Sequence, residues 1–263
     1  MEKFAYMQKK QYFCAKFVKN SLLMYLFYTP HIIGGIEEIG QSYSLNEEES
    51  GHCVRVLRYT RGDEILLTNG QGMTYTARIT NPHPKHCEFE VLTAEKQQPH
   101  HKAYIHIAIA PTKNIERLEW AIEKCTEIGV DEITPLLCRF SERKQLRTDR
   151  LQKIMLSAAK QSLTPYLPKL NELTPYDEFV RAAKEEQKFI AHCYKDEKRE
   201  LKDCLQPAAK SVLVLIGPEG DFSEQEVEEA LQLGFVPVSL GNSRLRTETA
   251  AIVACHTIVL IDG

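Results

Sequence analysis

From Tyr104 to Leu260, short apolar runs of strand length alternate with segments whose apolar residues recur at helical spacing, which limits this region to a sheet wrapped by helices. Tyr104 to Ala110 reads as a strand. Ile115 to Ile128 is a helix with apolar positions 115, 118, 121, 122, 125 and 128, closed by Gly129 as its C-cap. Ile133 to Cys138 is the next strand, Thr148 caps a helix running to about Ser162, and a further helix lies near 176–187. Phe189 to Cys193 and the very hydrophobic Val212 to Ile216 are strands, and Ser223 to Glu226 is a capping box for a helix ending at Gly234. Phe235 to Leu240 is the last strand and Thr247 to Leu260 the last helix. Strands joined through helices run parallel, so the expected class is α/β with a mostly parallel sheet.

The chain before it reads differently. Tyr25 to Tyr28, Ile65 to Leu67, Thr74 to Ala77 and Cys87 to Leu92 are strand candidates, and Asn69-Gly70-Gln71-Gly72 is a hairpin signal. Asn46, with Glu49 at the capping-box position, opens a helix expected to carry His52, Val54, Arg55, Leu57 and Arg58 before Gly62-Asp63 turns the chain. Short strands with one helix describe a small β-barrel. The expected organisation is an N-terminal extension at 1–23, a barrel at 24–96, a polar linker with Pro99 at 97–102, and the α/β domain at 103–263. Residues 1–23 hold five lysines and one glutamate, lack the apolar core of a signal peptide, and read as a tail or a misplaced start.

At 263 residues, 43% apolar and 26% charged, the chain has the composition of a globular protein, and no apolar run reaches the length of a membrane span. A cytoplasmic protein without membrane partners is expected. The eight cysteines form no Cys-x-x-Cys pair, and their His-Cys neighbours point to opposite faces of a strand, which makes poor chelators; no metal is expected. The net charge of −3 argues against bulk attraction to nucleic acid, but from Arg139 to Lys169 eight Lys and Arg face only Glu142 and Asp149. That run is either a solvated face or a stripe for phosphates.

Ligands of open α/β sheets bind beyond the carboxyl ends of the strands. Two such ends are loaded here: Gly217-Pro218-Glu219-Gly220-Asp221-Phe222-Ser223 and the segment from Leu240 through Gly241 to Ala250. The glycines permit either simple turns or close backbone approach to a ligand, and two such loops favour a shared pocket. No phosphate-binding loop of the Gly-x-x-x-x-Gly-Lys type is present, nor a dinucleotide fingerprint opening a helix after a strand. Arg246 and Glu248 read either as an ion pair at a helix start or as groups for a phosphate or developing charge.

The segments GPEGDFSEQEVEEA (217–230) and LGNSRLRTETA (240–250) resemble the signatures of the ribosomal RNA small-subunit methyltransferase E family, within the SPOUT superfamily. HCVRVLRYTRGDEI (52–65) is similar to that family's PUA-like barrel, and residues 113–144 and 157–170 resemble its central stretch, so the likeness covers about 24–263 in order.

The resemblance implies a C-terminal trefoil knot, a homodimer, and S-adenosylmethionine held at Ile216, Gly217, Pro218, Leu240, Gly241, Arg244, Leu245, Arg246, Thr247 and Ala250, with His192 to Tyr194 as a third wall. It implies methylation of N3 of a uridine in 16S rRNA within the 30S subunit. Arg246 is the expected charge stabiliser, with Glu219 as either proton acceptor or loop cap and Glu248 orienting the arginine. RNA contacts are expected at Arg55, Arg58, Arg61, Arg139, Arg143, Lys144 and Gln161. Two departures stand out: Leu163-Thr164-Pro165-Tyr166 replaces an often basic stretch, and the barrel region is net acidic. The alternatives are a related enzyme for another rRNA or a tRNA position, and an assembly factor that binds RNA without catalysis.

Overall fold

The computed structural model describes residues 25–99, 101–194, 198–207 and 209–262, so the expected extension at 1–23 lies outside the described residues. The chain divides into two compact units, one covering the described residues up to Thr68 together with Thr74–Glu95, the other Asn69–Met73 together with Lys96 onward.

The first unit is a five-stranded sheet in the order β1-β3-β4-β5-β2, from β1 (Leu26–Tyr28), β2 (Ser42–Ser44), β3 (Glu64–Thr68), β4 (Met73–Asn81) and β5 (Glu88–Lys96). Period-two alternation buries Tyr75, Ala77 and Ile79 of β4 and Phe89 and Val91 of β5 on one side. Helix α1 (Glu47–Gly51) starts as expected, with Asn46 Oδ1 accepting from the Glu49 amide at 2.8 Å. It does not run on to Arg58. Gly51 gives way to a wider π-type turn at His52–Val56, which buries Cys53, and Arg58 takes a left-handed φ of 59° that no helix interior admits.

The second unit carries β6 (Tyr104–Ile109), α2 (Ile115–Ile128), β7 (Glu132–Leu137), α3 (Thr148–Gln161), β8 (Lys169–Leu170), β9 (Thr174–Pro175), α4 (Tyr176–Ala182), β10 (Gln187–Ala191), β11 (Arg199–Glu200), α5 (Leu201–Cys204), β12 (Ser211–Ile216), α6 (Glu224–Gln232), β13 (Val236–Ser239) and α7 (Thr247–Asp262). Its sheet runs β11-β13-β10-β12-β6-β7-β8, with β9 beside β7. The pairs β6–β7, β6–β12, β10–β12 and β10–β13 are all parallel. Strand β12 is buried on both sides: Val212, Val214 and Ile216 join the core under α2, α3 and α7, while Leu213 and Leu215 join the core under α4 and α6.

Local chemistry sets most helix ends. Gly129 caps α2 in the left-handed region at φ 112°, and α6 shows both arms of the Ser223–Glu226 capping box. The cap of α3 differs from expectation: Arg147 occupies that position, while Thr148 donates its hydroxyl to Glu172 at 2.9 Å. Helix α4 ends at Ala182, short of the expected 187, because Gln187 already belongs to β10. After β13 the chain returns from near the sheet edge to its middle, where α7 packs on α2, β6 and β12. Among the described residues no helix is long and apolar enough to cross a membrane.

Candidate active site at the strand ends of the second unit

The loops leaving β10, β12 and β13 meet at the carboxyl edge of the sheet. Behind β12, Gly217 is favoured by space: a Cβ there would fall 3.1 Å from the Phe222 ring and 3.2 Å from its amide nitrogen, a tight fit. The loop closes through the Asp221 amide, which donates to the Pro218 carbonyl at 2.9 Å. Asp221 then ties it to its neighbour, Oδ2 accepting from the Cys193 amide at 2.7 Å and Oδ1 from the Phe222 amide at 2.8 Å. Tyr194 adds a bond from its hydroxyl to the Phe222 carbonyl at 2.7 Å. From the far side, Thr247 donates its hydroxyl to the Gly217 carbonyl at 3.0 Å.

Two adjoining cavities lie between these loops. The larger, about 580 Å³, is bounded by the ends of β10 and β13, including Ala191, His192, Leu240, Gly241 and Asn242. The smaller, about 230 Å³, is bounded by Ile216, Gly217, Pro218, Glu219, Arg246 and Thr247. Ala191, Cys193, Asp221, Arg244, Leu245 and Ala250 line both, so the two form one groove of the size that holds a small-molecule ligand. Partial burial and the Asp221 carboxylate raise the Cys193 thiol above its ordinary value against the pull of Arg244 and Lys198.

The groove brings together Ile216, Gly217, Pro218, Glu219, Leu240, Gly241, Arg244, Leu245, Arg246, Thr247 and Ala250. Glu219 is exposed, and its Oε1 accepts from the Lys113 amide at 2.9 Å, which fastens the loop after β6 to the loop after β12. Glu248 does not line the groove. It is 6% exposed, its Oε1 lies 3.9 Å from Arg117 Nε on α2, and its Oε2 has no hydrogen-bond partner among the described residues. A carboxylate in the first turn of α7 is favoured by the helix dipole, which offsets part of that cost.

The expected RNA-contacting residues are spread over both units. Arg55, Arg58 and Arg61 are exposed on the first. On the second, Arg139 and Lys144 are exposed, but the Arg143 guanidinium is spent on the carbonyls of Thr112 at 3.2 Å and Lys113 at 2.8 Å. Gln161 lies with Glu123, Lys124 and Glu127 along a groove between α2 and α3. Arg147 and Arg150 are paired with Asp149 and Glu119.

Sequence reasoning passed over Asp221, whose signal was its place in a glycine-bounded loop after a buried strand. It also passed over Arg117, which sits in an ordinary helical turn and reaches its partner only through the tertiary fold. Among the described residues no group of three or more His, Cys, Asp and Glu is arranged to hold a metal ion.

Residues 99–259 match an RNA methyltransferase domain family, and residues 45–92 match an RNA methyltransferase PUA domain. The chain is 30% identical over 195 residues to the ribosomal RNA small subunit methyltransferase E of Mesomycoplasma hyopneumoniae, covering 72% of this chain and 83% of that one. A crystal structure of a probable rRNA-methyltransferase from Porphyromonas gingivalis superposes with a TM-score of 0.82 at 42% identity, over 91% of this chain and 98% of that one. The ribosomal RNA small subunit methyltransferase E of Neisseria gonorrhoeae, bound to S-adenosyl methionine, superposes with a TM-score of 0.77 at 27% identity, over 88% and 95%.

Proposed function

The chain belongs to the ribosomal RNA small subunit methyltransferase E family, and from that membership we propose that it methylates N3 of a uridine in the 16S rRNA of the 30S subunit, with S-adenosylmethionine as donor. The observation that carries the reading is the groove shared by the loops after β10, β12 and β13, with Arg244 and Arg246 at its lip.

The groove suits the cofactor. Small residues (Ala191, Gly217, Gly241 and Ala250) leave its walls open to close backbone approach, and Asp221 contributes a carboxylate to the lining. Ile216, Gly217, Pro218, Leu240, Gly241, Arg244, Leu245, Thr247 and Ala250 would hold it. When bound, it supplies an electrophilic methyl group for an in-line displacement.

The protein's task is then to position the acceptor and to relieve N3 of its proton. Arg246 is the proposed stabiliser of the uracil anion, a fixed charge beside a developing one. Glu219, held by the Lys113 amide, is the proposed proton acceptor. Glu248 acts one step back: paired with Arg117, it fixes the first turn of α7, which carries Thr247 and follows directly on Arg246.

Arg55, Arg58, Arg61, Arg139 and Lys144 are the proposed phosphate contacts. A homodimer is supported by Trp120 on α2 and Leu260 and Ile261 on α7, which stay exposed on two helices that pack together. The return of the chain from β13 to the middle of the sheet, pinned by Thr247 at Gly217, supports the trefoil knot of this superfamily.

The test is incubation of the protein with labelled S-adenosylmethionine and undermethylated 30S subunits, followed by mass spectrometry of the nucleosides. The expected product is 3-methyluridine. Any other methylated base overturns the assignment to N3, and absence of transfer overturns the assignment to this RNA.

A further inference from the structure

We propose that Phe140 is the stacking platform on which the target base is held at the mouth of the groove. The inference rests on the function proposed above and adds a residue that positions the acceptor.

Phe140 is 47% exposed, although a ring of that size normally gains by burial. It is held out by a rigid turn. The Cys138 carbonyl accepts from the Ser141 amide at 3.1 Å, and Ser141 Oγ accepts from the Cys138 amide at 3.0 Å. Cys138 and Ser141 are both buried, and the intervening Arg139 amide is fastened to Glu226 Oε1 of α6 at 2.8 Å. Among the described residues its ring has no aromatic or cationic partner, and its exposed part is available to something outside the chain.

Its place is specific. A Cβ on Gly220 would lie 3.2 Å from Phe140 Cβ, so the absent side chain at 220 is what lets the aromatic residue sit against the loop after β12. Gly220 stands between Glu219 and Asp221, both of which line the groove. The same segment is braced by Arg143 on the Thr112 and Lys113 carbonyls, and it exposes Arg139 and Lys144, one and four residues from the ring in sequence.

The chemistry is served by such a surface. N3 lies on the Watson–Crick edge of uracil, so the base must be unpaired before a methyl group can reach it, and enzymes acting on a base commonly take it out of the stack as well. Single-stranded bases are held on aromatic faces with cations tracking the backbone, and Phe140, Arg139 and Lys144 supply those side-chain types in one short exposed segment.

The experiment compares wild type with Phe140→Ala, Phe140→Leu and Phe140→Trp in methyl transfer to undermethylated 30S subunits, in S-adenosylmethionine binding by calorimetry, and in size by light scattering. Alanine and leucine are expected to lower kcat/KM for the RNA about ten-fold, with cofactor affinity and size unchanged and with tryptophan restoring the rate. Wild-type kcat/KM in Phe140→Ala overturns the proposal. So does full activity in Phe140→Leu, which would show that apolar packing suffices, and so does a change of size or cofactor affinity in Phe140→Ala, which would make the ring a subunit or cofactor contact. If the wild-type protein itself transfers no methyl group, the function proposed above falls and takes this inference with it.

Discussion

The hydroxyl of Thr247 donates to the carbonyl of Gly217 at 3.0 Å, joining the first turn of α7 to the loop that leaves β12. Thr247 is 6% exposed, so water does not replace the bond when it is lost. Thr247→Val keeps the shape, strands a buried carbonyl, and is expected to cost about 1–3 kcal/mol of stability. It should also weaken S-adenosylmethionine binding, because both walls of the groove lose their tie. Thr247→Ser should retain both properties. Urea unfolding and calorimetry check the pair, and a valine variant with native affinity would show that the walls are held by other contacts.

Arg246 lines the smaller cavity, and its side chain is exposed at the lip. With the charge removed in Arg246→Ala, kcat is expected to fall about 100-fold, the scale of losing one preorganised donor to a developing anion. Cofactor affinity should persist, since the neighbouring backbone is unchanged. Single-turnover kinetics separate the two, and unchanged turnover would remove Arg246 from the mechanism.

Glu185 Oε1 lies 2.7 Å from Nδ1 of the buried His106, whose Nε2 is 2.7 Å from the Thr134 hydroxyl. Burial alone would raise the Glu185 carboxyl, but its hydrogen bond with His106, the backbone amides of Glu185 and Lys184, and the electrostatic pull of the His106 ring hold it below its ordinary value of 4.5. A depressed carboxylate contributes stability that is fully present above its unfolded value and is lost as pH falls through the folded one. Wild type should therefore lose stability as pH falls below about 4.5, and Glu185→Gln should show a shallower slope there. Thermal unfolding from about pH 7 to about pH 3 measures both; equal slopes would mean that the pair does not carry the acid sensitivity.

Gly72 has φ of 85°, and a Cβ on it would overlap the ring of Tyr166. Tyr166 in turn donates its hydroxyl to the Gln97 carbonyl at 2.8 Å, while the Gly72 amide donates to the Pro165 carbonyl at 2.9 Å. Gly72→Ala is expected to destabilise by about 2 kcal/mol or more through strain and overlap together. Tyr166→Leu in the same chain should recover the overlap part only. Additive losses in a double-mutant cycle would show that the two residues do not touch.

Local chemistry was legible throughout. The helix Ile115–Ile128 and its Gly129 cap, the Ser223–Glu226 box and the doubly buried strand ending at Ile216 all follow from spacing, because each depends on neighbours within a turn or on burial of one strand. Where a local signal was weak, the tertiary environment prevailed. Thr148 looked like a cap but found Glu172, and the turn after Gly51 widened to bury Cys53.

The amino-acid order by itself determined the α/β class, the two glycine-bearing strand ends and the family signature, since period, capping and turn chemistry act over a few residues. The strand order, in which β10 lies between β12 and β13, belongs to the tertiary structure. That order makes one groove of the loops near 193, 217 and 245. It sets Asp221 on Cys193 and Thr247 on Gly217, and it turns Glu248 toward Arg117. These partners stand far apart along the chain, and no local preference encodes such a pairing. Only burial of the common sheet, with its obligation to satisfy each polar group carried inside, brings them together.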